Sequence, residues 1–151
     1  MTHALSRRGV AALGIDVVAE AVAQTRCRGA KALRRDVFSP LPREGHWDTA
    51  LLADGNIGIV GDPGALLRRV FDLLRPSGRV VVDLGKPGRP IRIHRLRLVV
   101  DGVASLPFPW AVVPADQLQL VADASALRVL EVVDNRGRWF ASLEKPGSPC
   151  S

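Results

Sequence analysis

The sequence predicts an α/β fold with a mostly parallel sheet and a reversed edge strand at its C-terminal end. Strand–helix units come first along the chain, and an antiparallel pair of strands comes last. The near-continuous apolar run at 47–53 suits a strand that helices cover on both faces, as in parallel sheets. Hydrophobic residues make up 47% of the 151 residues. This is enough for one domain over residues 1–151.

The first third of the chain alternates short strands with helices. Residues 2–8 are helix-permissive and stop at Gly9, and the segment 19–28 is rich in helix formers and stops at Gly29. The predicted elements are a helix at 2–8, a strand at Val10–Ile15, a helix at Ala19–Arg28, and strands at Ala30–Leu33 and Trp47–Ala53.

A capped amphipathic helix is predicted after the third strand. Asp62 can serve as its N-cap, and Pro63 occupies the first turn, where a missing N–H costs nothing. Apolar residues recur at three- and four-residue spacing from Leu66 to Leu74 and form one buried stripe. A turn at Pro76–Gly78 then leads into a Val-rich strand at Arg79–Leu84.

Residues 89–110 form a predicted hairpin insertion. Apolar and polar residues alternate there, with a one-residue slip at His94-Arg95 that suits a β-bulge. Asp101-Gly102 is a strong turn signal, and Val103–Phe108 is the predicted returning strand. The chain closes with a helix at Pro114–Ala126 and strands at Leu127–Val133 and Arg138–Leu143.

Composition and charge exclude several classes of protein. No apolar run approaches the ~20 residues of a membrane span. The N-terminus lacks the plan of a secretory signal, so we expect a cytoplasmic protein. Cys27, Cys150 and the three histidines have no second ligand at metal-site spacing, and no metal site is expected.

The net charge of +6 comes almost wholly from arginines scattered along the chain. Scattered charge disfavours nucleic acid as a partner, because nucleic-acid binding surfaces gather their charge on one face. The arginine-bearing segment at 92–97 is the one local group, and it can be a solvated face or a phosphate clamp.

Acidic residues follow three predicted strands at their C-terminal ends. Ligands of open α/β sheets bind outside these ends, where an acid commonly holds the ribose hydroxyls of a nucleotide. Asp16 follows the first strand, Asp36 lies beyond the second, and Asp54-Gly55-Asn56 opens from the third. Asp16 can instead cap the next helix, and Asp36 can be a solvated loop acid. Asp54 and Asn56 can instead be turn residues that are present for their backbone conformation.

Four segments of the chain resemble the class I S-adenosylmethionine-dependent methyltransferases. The leucine-rich Pro76–Gly78 turn before a strand is the most specific feature, and the resemblance runs from Ser6 to about Leu143. It implies a Rossmann-like sheet with a reversed C-terminal edge strand and S-adenosyl-L-methionine as the cofactor. The segments are Gly14–Asp16, Arg35–Phe38, Asp48–Asn56 and Leu73–Val82.

The resemblance also implies cofactor roles. Asp16, with Ile15 beside it, would accept hydrogen bonds from the ribose hydroxyls. Asp36, with Val37 beside it, would lie at the adenine and accept from its exocyclic amine. Ala53-Asp54-Gly55 would lie under the methionine moiety and the sulfonium, whose charge a carboxylate favours.

A small-molecule methyl acceptor is expected. The Asn/Asp-Pro-Pro-aromatic motif of amino-methylating DNA enzymes is replaced here by Asp54–Ile57. Asn56 and Trp110 are candidate acceptor contacts, with Trp110 either a lid over the pocket or packed against the sheet. Residues 89–110 are the candidate acceptor-specificity element. No catalytic base is assigned, since much of the rate comes from in-line alignment of the acceptor.

Two parts of the family pattern are absent from this sequence: the glycine-rich loop and the central strand before it. Without that strand, the first two strands have no partner joining them to the third and fourth, and each unpaired buried backbone group costs about 1–3 kcal/mol. We therefore expect a truncated chain with a misassigned start at Met1. The alternatives are a decayed gene product, or a partner chain or second copy that fills the gap. A non-catalytic methyltransferase-like binding or partner subunit is the alternative function. The Pro76–Gly78 turn and the reversed strand argue against a nicotinamide-dependent oxidoreductase.

Overall fold

The computed structural model of the chain describes residues 1–100 and 102–147. The chain divides into two compact units, Met1–Pro42 and Arg43–Ser151. Cys150 and Asp101 of the predicted hairpin turn lie outside the described residues.

The first unit is a parallel two-stranded sheet with two helices. Its elements are α1 (Thr2–Ser6), β1 (Leu13–Asp16), α2 (Ala19–Cys27) and β2 (Lys31–Arg34). Leu13 pairs with Lys31 at one end of the ladder, and Asp16 pairs with Arg34 at the other. The strand β1 begins three residues later than predicted, because the Val10 N–H donates to the Leu5 carbonyl and continues the end of α1.

The second unit contains eight strands and two α-helices within its described residues. Its elements in chain order are β3 (Trp47–Leu52), α3 (Pro63–Leu73), β4 (Leu74–Leu84), β5 (Arg92–Leu96), β6 (Val99–Val100), β7 (Val103–Ala104), β8 (Phe108–Val112), α4 (Leu118–Asp123), β9 (Arg128–Asn135) and β10 (Arg138–Glu144).

A four-stranded mixed sheet in the order β3-β4-β10-β9 forms the base of this unit. The strands β3 and β4 are parallel, whereas β10 runs antiparallel to both β4 and β9. The prediction of a mostly parallel sheet is therefore wrong for this unit. The C-terminal strand is reversed, as predicted, but it lies inside the sheet and β9 forms the edge. Ala141 and Leu143 of β10 are buried, whereas Val132 and Val133 of β9 are exposed, so the strand that buries more apolar surface takes the inner place.

The helix α3 confirms its predicted cap and apolar stripe. The Asp62 Oδ1 atom accepts a hydrogen bond from the Ala65 N–H at 2.8 Å, and Pro63 lies in the first turn. The buried side chains of α3 pack in the core of the unit with strand and α4 residues. This core includes Leu66, Leu67, Val70, Leu73, Val80, Val82, Leu118, Val121, Ala122 and Leu143.

The Pro76–Gly78 turn lies within β4 as an irregular stretch. The register against β3 shifts between Trp47 and Thr49, and Ser77 has a φ of 59°. A Cβ atom on Gly78 would stand 2.8 Å from the Arg75 carbonyl oxygen, so a side chain at this position would clash with backbone. Lys145 secures the same region, because its Nζ donates to the carbonyls of Phe71 and Leu74 at 2.9 and 2.8 Å.

The hairpin differs from its prediction in register. The β5–β8 ladder runs without a shift from Arg92 opposite Val112 to Leu96 opposite Phe108, so there is no bulge at His94-Arg95. The returning limb consists of two strands, β7 at Val103–Ala104 and β8 at Phe108–Val112, in place of the single strand predicted over Val103–Phe108. The break in the alternation of apolar and polar residues lies beyond this ladder. There the Ser105 hydroxyl accepts a hydrogen bond from the Leu98 N–H. The short strands β6 and β7 form a second, outer ladder.

The predicted helix at Pro114–Ala126 is shorter than expected. It begins with a 3-10 turn at Ala115–Gln117 and continues as α4. In residues 1–100 and 102–147, no helix is both long and apolar enough to cross a membrane.

Candidate functional site

Asp16 and Asp36 lie at the same end of the sheet in the first unit. Asp16 is the last residue of β1, and Asp36 follows the last residue of β2 by two positions. Because the two strands are parallel and in register, both acids lie at the carboxyl ends of the strands. Both are exposed, while the neighbouring Ile15 and Val37 are half-buried.

Both acids also shape their own turns. The Asp16 Oδ1 atom accepts from the Val18 N–H at 2.8 Å, and the Asp36 Oδ1 atom accepts from the Phe38 N–H at 2.9 Å. Val18 is the N-cap residue of α2, so Asp16 does contribute to the entry of that helix. A shallow recess in this unit lies near Leu13 and Lys31, at the amino ends of the strands and away from both acids.

The turn after β3 has two consecutive residues in the left-handed region. Asp54 has a φ of 55° and Gly55 a φ of 73°, after which Asn56 begins a 3-10 turn. The Asn56 N–H donates to the Ala53 carbonyl at 3.1 Å. Aspartate is one of the few non-glycine residues that adopt this region readily in turns. The turn holds the Asp54 carboxylate at the carboxyl end of β3, with 81% of its side chain exposed.

Two charged residues that the sequence analysis did not select face this turn. The Arg138 Nη2 atom lies 3.1 Å from Asp83 Oδ2 and 4.0 Å from Asp54 Oδ1. Its guanidinium also lies 5.3 Å from the centre of the Phe140 ring. Asp83 is only 15% exposed, since it is the penultimate residue of β4. A charge directly after the apolar run Val80–Val82 is a signal that could have selected Asp83. The pairing with Arg138 has no signal in the sequence.

Trp110 lies beside the same turn, inside strand β8. Its Nε1 atom is 3.9 Å from the position that a Cβ atom on Gly55 would take. Trp110 also forms an antiparallel bridge with Ile59, and a Cβ atom on Gly58 would stand 1.9 Å from the Ala111 carbonyl oxygen. The absence of a side chain at Gly58 therefore lets β8 approach the turn. Trp110 is a half-buried residue of strand β8.

Within the described residues, no group of three or more His, Cys, Asp or Glu side chains is arranged to hold a metal ion. Among the ion pairs of the described residues, Asp54 and Asp83 share one guanidinium, that of Arg138, so this three-residue cluster is net negative. Such a site favours a cationic ligand group.

Many solved structures are similar to this chain, among them the following methyltransferases. A methyltransferase from Bacteroides fragilis in complex with S-adenosyl-L-homocysteine has a TM-score of 0.75 at 20% identity, over 93% of this chain and 65% of its own. The Burkholderia thailandensis 1,6-didemethyltoxoflavin-N1-methyltransferase has a TM-score of 0.70 at 18% identity, over 96% of this chain and 65% of its own. The chain has the fold of a class I S-adenosylmethionine-dependent methyltransferase.

A third methyltransferase, from Methanosarcina mazei, has a TM-score of 0.67 at 16% identity. The similarity covers 96% of this chain and 86% of the Methanosarcina protein. The chain thus spans about two thirds of the Bacteroides and Burkholderia proteins and more of the archaeal one. No protein-family model matches the chain, and no curated protein sequence matches it.

Proposed function

We propose that the chain is a methyltransferase domain that uses S-adenosyl-L-methionine and methylates a small molecule. One observation carries the proposal: in a chain of this fold, Asp16 ends β1 and Asp36 follows β2, so both acids lie at the carboxyl ends of a parallel pair of strands. Ligands of open α/β sheets bind outside these ends.

The residues of the first unit fit the adenosine half of the cofactor. Asp16 would accept from both ribose hydroxyls, because its carboxylate is exposed at the end of β1 and one of its oxygens orients the backbone turn. Asp36 would accept from the adenine amine in the same way. Ile15 and Val37 are half-buried and would pack against the ribose and the base.

The residues after β3 fit a cationic centre. The cofactor, when bound, supplies an electrophilic methyl group on a positively charged sulfur. Ala53-Asp54-Gly55 would lie under that charge, with the Asp54 carboxylate stabilising it and Gly55 leaving space beside the backbone. Arg138 would hold Asp54 and Asp83 in place by sharing its guanidinium between them.

Asn56 and Trp110 are the proposed acceptor contacts, and the hairpin at 89–110 is the proposed specificity element. Support comes from the position of Trp110 beside Gly55 and from the Burkholderia enzyme, whose structure holds 1,6-didemethyltoxoflavin. These residues would align the acceptor with the methyl group and exclude water from it.

The test of the cofactor site is a calorimetric titration with S-adenosyl-L-homocysteine. Asp16→Ala should weaken binding at least about tenfold, because charge-assisted hydrogen bonds to two hydroxyls are lost. Asp16→Asn keeps an oxygen for the Val18 turn and separates loss of charge from loss of the turn. Asp134→Asn is the matched control, since Asp134 also accepts from a turn N–H, that of Gly137, at 2.6 Å. Unchanged affinity in Asp16→Ala would remove the assignment.

A non-catalytic binding or partner subunit is the second candidate. In the described residues, β3 pairs with β4 on one side and forms the open edge of its sheet, and β1 and β2 form a separate sheet. An open parallel edge can accept a further strand from another chain or a second copy. This alternative predicts a stable complex by light scattering and no binding of S-adenosyl-L-homocysteine.

A further inference from the structure

We propose that one face of the β5–β8 ladder selects an acceptor that has a planar ring and a carboxylate or phosphate group. Arg92 is the anion-binding residue, and Trp110 with Phe108 forms the surface for the ring. This inference rests on the proposed function and adds the chemical class of the acceptor.

The ladder places three residue pairs on one face. Arg92 is opposite Val112, His94 is opposite Trp110, and Leu96 is opposite Phe108. Directly opposite residues share a face of the sheet, and so do residues two apart along a strand. The Phe108 and Trp110 rings confirm this, since they meet edge to face at a centroid distance of 6.4 Å and an interplanar angle of 76°.

The face is fixed beside the turn that holds Asp54. Trp110 Nε1 lies 3.9 Å from the position of a Cβ atom on Gly55, and Trp110 forms an antiparallel β-bridge with Ile59. The opposite face packs on the same loop, because a Cβ atom on Gly61 would stand 2.9 Å from Pro109 Cβ and 3.2 Å from Ile93 Cγ2. Both faces of the ladder thus contact the loop after β3, with Trp110 at the Gly55 end of that loop and Pro109 and Ile93 at Gly61.

Positive charge is in excess along the hairpin segment, although the Asp116 carboxylate lies at its start and accepts from the Gly88 N–H at 3.0 Å. Residues 86–113 contain one lysine and four arginines but one acidic residue, Asp101. Among the described residues, none of these four arginines forms an ion pair with a carboxylate, whereas Arg138 and Arg128 on the neighbouring sheet do. Arg92 is exposed. Its guanidinium is thus available to pair with an anion from outside the chain.

The distances within a ladder define the shape of the ligand. Arg92 is a diagonal neighbour of Trp110, and such neighbours are about 7–8 Å apart between Cα atoms. If the ring of a ligand packs on Trp110 and Phe108, a substituent that lies about one ring length from that ring is therefore near Arg92. Aromatic side chains bind planar ligands by stacking, and arginine binds carboxylate or phosphate through two parallel hydrogen bonds.

The strand also supplies a matched control. Arg95 lies on β5, is exposed like Arg92, and has the same charge, but it pairs with Pro109 on the opposite face. A ligand held at one face responds to Arg92 alone. A long polyanion such as nucleic acid, or a diffuse charge effect, responds to both arginines equally.

The test compares three probes that share one ring system: 2-naphthoate, 2-naphthyl phosphate and the neutral 2-naphthamide. Each is titrated into the full chain with and without S-adenosyl-L-homocysteine, and dissociation constants are measured by ligand-observed NMR. We expect at least one anion to bind about fivefold more tightly than the amide, the upper range for one solvent-exposed ion pair. Arg92→Gln should remove this preference, Arg95→Gln should keep it, and Trp110→Ala should weaken all three probes.

Equal affinity for anions and amide would overturn the inference, as would equal losses in Arg92→Gln and Arg95→Gln. The affinity for S-adenosyl-L-homocysteine, measured on the same samples, keeps the two proposals separate. Failure of that ligand to bind counts against the proposed function. If S-adenosyl-L-homocysteine binds normally but the three probes bind equally well, only the proposed class of acceptor is wrong.

Discussion

At the scale of single residues, the clearest electrostatic effect is at Asp48, near the start of β3. The Arg75 Nε atom donates a hydrogen bond to Asp48 Oδ1 at 2.5 Å, and this bond with the charge of Arg75 lowers the pKa of Asp48 below its ordinary 3.8. A lowered pKa in the folded state stabilises the fold above the unfolded pKa. The stabilisation is lost as the pH falls through the folded value. Both side chains are exposed, so the effect is small.

We therefore expect Asp48→Asn to melt slightly below the wild type at neutral pH and at the same temperature at about pH 2. Melting temperatures of both proteins between pH 2 and pH 7 measure this. A difference that is constant across the range would show that the ion pair contributes nothing.

The individual acids show how far residue-level reasoning reaches. Asp16, Asp36 and Asp54 could be selected from sequence because each follows an apolar strand, and the structure places all three at strand ends. The Arg138 guanidinium near Asp54 could not be found, because the two residues are 84 positions apart in the chain and meet through strand pairing that no local pattern encodes.

At the scale of elements, close packing of β8 on the turn after β3 depends on Gly58. A Cβ atom there would stand 1.9 Å from the Ala111 carbonyl oxygen. Gly58→Ala should lower the free energy of unfolding by about 1–3 kcal/mol or more, because backbone must move to relieve the clash. Gly64→Ala in α3 is the control. Its nearest contact is at 3.5 Å, and alanine should be neutral or stabilising by about 0.5 kcal/mol. Urea unfolding of both variants measures the difference, and a wild-type stability for Gly58→Ala would contradict the packing.

The boundaries of helices and strands were predicted best where a capping residue or a proline fixes the end of the element. Asp62 and Pro63 begin α3 as expected. The hairpin register was wrong because the alternation of apolar residues does not distinguish a bulge within a ladder from a break between two ladders. The break is made by the Ser105 hydroxyl, a contact between residues seven apart.

At the scale of the whole molecule, the two units differ in how their strands are paired. The strands β4 and β10 have partners on both sides, whereas β1 and β2 have only each other within the described residues. A two-stranded sheet is marginally stable, so the amides of Val80, Val82, Ala141 and Leu143 should exchange at least about 100-fold more slowly than those of β1 and β2. Hydrogen exchange followed by NMR measures this ratio, and equal protection in both units would contradict the separate pairing.

The fold class could be predicted because strand–helix alternation and the terminal hairpin are local patterns. The strand order at the C-terminal end could not, since β9 and β10 have similar apolar content in sequence. Burial separates them: Leu143 is fully buried and Val133 is 44% exposed.

Parallel calorimetric titrations with S-adenosyl-L-homocysteine and NAD⁺ determine whether this chain binds S-adenosyl-L-methionine. The acids at the strand ends suit the ribose of either ligand, but the Asp54 turn and the methyltransferase fold favour the first. We predict saturable one-site binding of S-adenosyl-L-homocysteine and no measurable heat with NAD⁺. Binding of NAD⁺ in its place, or of neither ligand, would show that the chain has no S-adenosyl-L-methionine site.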